Sequence, residues 1–167
     1  IKMGYQPENT WVFCAMAAEE WGIADSKYDW STGAYAEVFN VHPEWAGKVI
    51  GDFNFELPAL SNGNLDGIRC TYEYKDFFED TLKTLPALSP AYPEGVLVSA
   101  PIETWSDDFS VAISGIPSMV NEFSAGSFMT THYHSQYDSD AYYNEAAYRF
   151  HHELYGLLLM HLDRQSV

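Results

Sequence analysis

The hydrophobic and polar positions of this chain fall into blocks whose period switches between that of a strand and that of a helix. Residues 10–16 (TWVFCAM) form a mostly apolar run of strand length, the pattern of a strand covered on both faces. This run delivers Glu19-Glu20-Trp21-Gly22 at its carboxyl end. Residues 31–41 have helical character, with Ser31 or Thr32 as the cap. Residues 48–57 read as a second strand ended by Pro58, and residues 67–74 as a third. An amphipathic helix follows over 75–85, with Phe77, Phe78, Leu82 and Leu85 at helical spacing. A proline-rich loop at 86–95 leads to an extended segment at 95–100, a short helix at 107–114 and a strand at 117–121. A long loop containing Gly126, Thr130 and His134 precedes a final helix over 141–162.

Strands alternating with helices predict an α/β fold, a three-layer α/β/α sandwich around a mostly parallel sheet. In such sheets the site forms outside the carboxyl ends of the strands, where Glu19-Glu20, Glu56 and the end of the strand near Asn121 would fall. The 167 residues, 47% hydrophobic and 16% aromatic, make one domain or a large piece of one and argue against disorder. No apolar stretch approaches the ~20 residues that a membrane helix needs. A net charge of −16, with no Lys/Arg cluster, speaks against binding nucleic acid. Cys14 and Cys70 are too few for a disulfide framework and read as buried free thiols, which leaves the compartment open.

Three segments carry candidate chemistry. Two adjacent carboxylates, Glu19 and Glu20, point in different directions, so one can bind a metal while the other faces the substrate water. On spacing alone an exposed pair opening a helix is the favoured reading. In His132-Tyr133-His134-Ser135-Gln136-Tyr137-Asp138, a loop histidine among hydroxyls suits a zinc ligand, and Tyr133 suits an oxyanion donor. His132 and His134 also stand at the spacing that lets both face one metal. Glu56 ends an apolar strand and needs a positive partner if buried, with Asp52 as the reserve ligand.

Together these segments resemble the co-catalytic di-zinc aminopeptidases, within them the glutamate carboxypeptidase and transferrin receptor branch. Ala17-Ala18-Glu19-Glu20-Trp21-Gly22 is similar to the family's acid-acid-aromatic-glycine segment, and Phe53-Asn54-Phe55-Glu56 to its strand ending in an acid. Trp105-Ser106-Asp107-Asp108-Phe109, Gly115-Ile116-Pro117 and Tyr133-His134-Ser135-Gln136-Tyr137-Asp138 are similar to its later motifs, in the same order. The resemblance implies a zinc exopeptidase acting on a peptide substrate. Glu19 would be the general base, Glu20 and His134 ligands of one zinc, Glu56 a ligand of a second, and Tyr133 the carbonyl-polarising group.

The family's remaining ligands, a His and a bridging Asp, have no counterpart before Glu19. The chain is therefore expected to be the C-terminal part of a peptidase domain, incomplete for catalysis. An exposed sheet edge would invite self-association, so a homo-oligomer is a further expectation. The rival readings are a non-catalytic interaction module, as in the receptor branch, and a glutaminyl cyclase-like enzyme using one zinc. His151 and His152 on the last helix read as packing or surface residues, and Tyr142, Tyr143, Tyr148, Phe150 and Tyr155 as helix packing.

Overall fold

A computed structural model of the chain describes residues 4–22, 25, 30–61, 63–86, 88–122 and 127–165. Four strands form one sheet: β1 (Asp52–Asn54), β2 (Asp66–Cys70), β3 (Val96–Ser99) and β4 (Ser118–Asn121), in the order β1-β4-β2-β3. β1 pairs with β4 and β2 with β3 in parallel, whereas β2 and β4 run antiparallel, with Arg69 opposite Val120. The sheet is thus mostly parallel with one antiparallel seam. β1 and β4 present their carboxyl ends side by side, Asn54 opposite Val120.

The helices are α1 (Thr32–Ala36), α2 (Tyr72–Thr84), α3 (Asp107–Ile113), α4 (Phe128–Thr131) and α5 (Glu145–Asp163). α1 widens into a π-helical turn over Glu37–Val41. The third strand stops at Cys70, and α2 begins at Tyr72 rather than Lys75, because Tyr74, Phe77 and Phe78 pack at helical spacing. α4 interrupts the long loop expected around His134; Gly126 lies outside the described residues. The last helix starts later than its pattern implied. Asn144 takes the N-cap, its side chain accepting from the Ala147 N–H at 3.0 Å, which stops the helix from extending back to Ala141.

The main core joins sheet residues Ile68, Cys70 and Met119 to Phe78 of α2 and to Phe150, Leu154 and Leu158 of α5. A second cluster, Ala34, Val38, Val111 and Ile116, binds α1 to α3. Phe150 and Tyr155 pack inside as expected, while Tyr143 and Tyr148 are exposed and lie in tilted contact with each other, centroids 5.7 Å apart. His151 is buried between two acceptors, the Pro58 carbonyl (2.6 Å) and Asp66 Oδ2 (3.1 Å). His152 is on the surface.

The expected strand at 10–16 is corrected. That segment has no strand partner, and Val12 and Phe13 are 61% and 80% exposed. An apolar run adopts a buried strand only beside other strands, and among the described residues none flanks it. Cys14 is accordingly exposed, not buried; Cys70 is a buried free thiol, and burial pushes it up to about 12.

The segment is held at its start instead. Asp163, at the carboxyl end of α5, accepts from the Glu8 and Asn9 N–H groups (2.9 Å each), the Tyr5 hydroxyl (2.7 Å) and the Trp11 indole (3.2 Å). A carboxylate at a helix C-terminus opposes the macrodipole, and these donors offset that cost. Burial alone would raise Asp163; the donors outweigh it and hold the carboxyl well below its usual range. Among the described residues no helix is long and apolar enough to cross a membrane.

Candidate active site

The segment bearing Glu19 and Glu20 docks on the start of α1. The orphan N–H groups of a helix N-terminus need acceptors. Here Ser31 N–H donates to the Glu19 carbonyl (2.5 Å) and Thr32 N–H to the Trp21 carbonyl (3.0 Å). Ser31 occupies the cap position, yet its side chain does not cap: its hydroxyl lies 2.5 Å from that of Ser110 in α3. Gly33 makes the docking possible, because a Cβ there would sit 1.8 Å from the Ala17 carbonyl oxygen.

Glu20 Oε1 lies 2.5 Å from His134 Nε2. The Tyr133 ring stacks on that of His134, centroids 3.8 Å apart. Burial, then the charges of Glu20, Glu56 and Glu19, push the Tyr133 hydroxyl up to about 12, so it remains a donor at neutral pH. Glu19 is pushed up to about 7 by burial and then by Glu56, Glu20, Asp107 and Asp108. A carboxyl with that pKa exchanges its proton near neutrality, as a general base must.

Glu56 stands two residues beyond β1, and its backbone is bracketed by the Asn121 amide. Asn121 Oδ1 accepts from Glu56 N–H at 2.7 Å and Nδ2 donates to the Glu56 carbonyl at 2.5 Å. Its carboxylate accepts from Ser106 Oγ at 2.8 Å, and that hydroxyl in turn accepts from Asn54 Nδ2 at 2.7 Å. Ser106 is the N-cap residue of α3, and this use of its hydroxyl explains why it makes no cap bond. Burial raises Glu56; Ser106 opposes the rise, Glu20 adds to it and His134 opposes it. Nothing in the residue pattern announced the roles of Ser106, Asn54 and Asn121; the Ser-Asp-Asp-Phe motif and the strand end near Asn121 were the only signals.

Asp52 is placed elsewhere. It faces Asp107 and Asp108 of α3 and, on the neighbouring strand, Ser118, whose hydroxyl donates to the Ile116 carbonyl at 3.0 Å. Burial pushes Asp52 and Asp108 to about 7 and Asp107 to about 6. One oxygen of each is buried without a hydrogen-bond partner among the described residues. His132, the alternative partner of His134 on one metal, has each ring nitrogen 2.6 Å from a hydroxyl, that of Thr131 and that of Tyr142.

Backbone strain collects at the same place. Four non-glycine residues with positive φ border the site: Ala18 before Glu19, Leu57 after Glu56, Ser31 under the Glu19 carbonyl, and His134 itself. Each such residue costs about 1 kcal/mol or more and persists only where surrounding contacts over-determine it.

By type, Glu20, Glu56 and His134 fit zinc, being two carboxylates and an imidazole. By number they fall short. Among the described residues no group of three or more His, Cys, Asp or Glu side chains is arranged to hold a metal ion. Glu20 and His134 are the pair in contact; Glu56 is engaged by Ser106 and lies near enough to feel the charges of both. In comparisons with known proteins, no family model matches the chain and no curated protein is significantly similar to it.

Proposed function

We propose that this chain is part of a zinc-dependent exopeptidase with a three-layer α/β/α sandwich fold, which hydrolyses peptide bonds with metal-activated water. The observation that carries the reading is the convergence of Glu19, Glu20, Glu56, Tyr133 and His134, from three distant segments, at the carboxyl ends of β1 and β4. Glu20 and His134 would hold one zinc and Glu56 a second. When bound, zinc supplies Lewis acidity, acidifying water and polarising a carbonyl.

The chain's own residues supply the rest. Glu19, with a pKa near neutrality, takes a proton from water and returns it to the leaving amine. Tyr133 keeps its hydroxyl proton and donates to an oxygen that gains negative charge. Two ligands for one ion and one for another are fewer than the three that catalytic zinc takes, so turnover requires further ligands beside these.

The test has two arms. Zinc titration of this chain should give weak binding that Glu20→Gln or His134→Ala removes. A form carrying the additional His and Asp ligands should release a terminal residue from peptides, and Glu19→Gln should slow it about 10²–10⁴-fold. Zinc binding indifferent to Glu20 and His134, together with hydrolysis indifferent to Glu19, would sink the reading.

A further inference from the structure

Arg69 makes three contacts at the edge of the site. Its Nη2 donates to Glu122 Oε2 at 2.7 Å, its Nη1 lies 3.2 Å from Glu103 Oε1, and its guanidinium carbon sits 5.1 Å from the centroid of the Trp105 ring. Arg69 belongs to β2, on the face opposite the buried Ile68 and Cys70. Glu122 reaches it because Gly67, two residues along the same face, has no side chain. A Cβ at Gly67 would stand 2.7 Å from Glu122 Cβ, and the Glu122 N–H donates to the Gly67 carbonyl at 2.8 Å.

The partners of Arg69 are the sequence neighbours of the groups that hold Glu56. Glu122 follows Asn121, which brackets the Glu56 backbone; Trp105 precedes Ser106, which donates to the Glu56 carboxylate. The cleft between Arg69, Trp105, Ser106 and Asn121 encloses a cavity of only about 10 Å³, no more than one water occupies. It is a packed joint, not a ligand pocket.

We propose that Arg69 is a positioning residue for Glu56: by tying the end of β4 to the loop before α3, it fixes both supports of that carboxylate at once. A planar fork that pairs with two carboxylates and stacks on an indole does this in a way that a lysine cannot. The contribution to a metal site rests on the peptidase reading; the support of Glu56 itself does not.

Amide hydrogen exchange on the metal-free chain reads the joint directly, since the Glu56 N–H donates to Asn121. Arg69→Met should speed exchange at Glu56 about tenfold or more while Ile68 and Cys70 in β2 stay within about twofold of the parent. Arg69→Lys should fall between, because an ammonium pairs with one carboxylate. Glu103→Gln and Trp105→Ala, both at half-exposed positions, should each reproduce part of the effect. Unchanged exchange at Glu56 in Arg69→Met, or an equal rise at Ile68 and Cys70, overturns the proposal. Should Arg69→Met fail to fold, unchanged Glu56 exchange in both half-exposed variants overturns it as well. Neither zinc nor peptide enters the measurement, so its failure leaves the peptidase reading standing, and the reverse.

Discussion

Glu20 Oε1 and His134 Nε2 meet at 2.5 Å, although one follows an irregular segment near the start of the chain and the other lies just past α4. A cation held by this ring nitrogen and this carboxylate oxygen would compete with protons for both. Zinc affinity of the chain should therefore drop as pH falls. It should also drop in either Glu20→Gln or His134→Ala by more than the roughly 10–100-fold that losing an outer-shell partner costs. Calorimetric titration at two pH values checks this; zinc affinity that rises with acid would refute it.

The acids under α3 set a pH dependence of folding. Asp108 is 1% exposed, and burial, then the charge of Asp52, push it up to about 7. An aspartate in an unfolded chain titrates near 4, so the folded state holds this proton more tightly. Its stabilisation is complete below about pH 4 and is lost as pH rises through about 7, on the order of 2–4 kcal/mol in all. Asp52 and Asp107 act with the same sign. The melting temperature should fall between about pH 5 and pH 8, and Asp108→Asn should flatten the slope. A parent that melts higher at pH 8 contradicts the assignment.

Asp163 works in the opposite window. Its carboxyl is held low by its donors, so what it contributes is present at neutral pH and disappears in acid. Asp163→Asn should free residues 5–11. Limited proteolysis should then cut before Glu19 about tenfold faster at neutral pH, while α5 and the sheet stay protected. Equal cleavage rates would show that the clamp is dispensable.

Gly33→Ala tests how the Glu19 segment is seated. The new methyl would overlap the Ala17 carbonyl, which is backbone and cannot swing aside. Either α1 or the segment must move, at a cost of about 1–3 kcal/mol. If the segment moves, Glu19 leaves its neighbours and its pKa should return toward that of an ordinary glutamate. Urea denaturation measures the first effect and carboxyl NMR titration the second; a variant unaltered in both would mean that the close approach is relaxed in solution.

Breaking the buried His151–Asp66 pair is a separate case. Both ring nitrogens face acceptors, and the pair is almost wholly buried. Asp66→Asn or His151→Leu removes a buried hydrogen bond and should destabilise the fold by about 1–3 kcal/mol, read as a lower urea midpoint. A loss below about 1 kcal/mol would class the pair with ordinary surface contacts.

The elements legible in the residue pattern are those with a local signal. The period of Tyr74, Phe77 and Phe78, the alternation of Ile68 and Cys70 with polar neighbours in β2, and the long run of α5 are each visible locally. Residues 10–16 misled because an apolar run reports the wish for a covered surface, not whether neighbours supply one. In the site, the acids and His134 were visible as residue types in order. Their supports were not: Asn121, Ser106, Asn54 and Arg69 act through hydrogen bonds between distant segments, which no spacing rule encodes. His132 and His134 look equivalent in the sequence, and only the hydroxyls of Thr131 and Tyr142 separate them.

The Asp163 clamp also sets an order of events. Its donors, Tyr5 to Trp11, are made well before their acceptor, Glu8 and Asp163 being 155 residues apart. Until α5 is synthesised, the segment leading to Glu19 has no anchor at its start, while β1, β2 and α2 already have partners at hand. Glu19 is thereby set in place only once α5 has been made, and a nascent chain short of α5 carries its acids without this clamp.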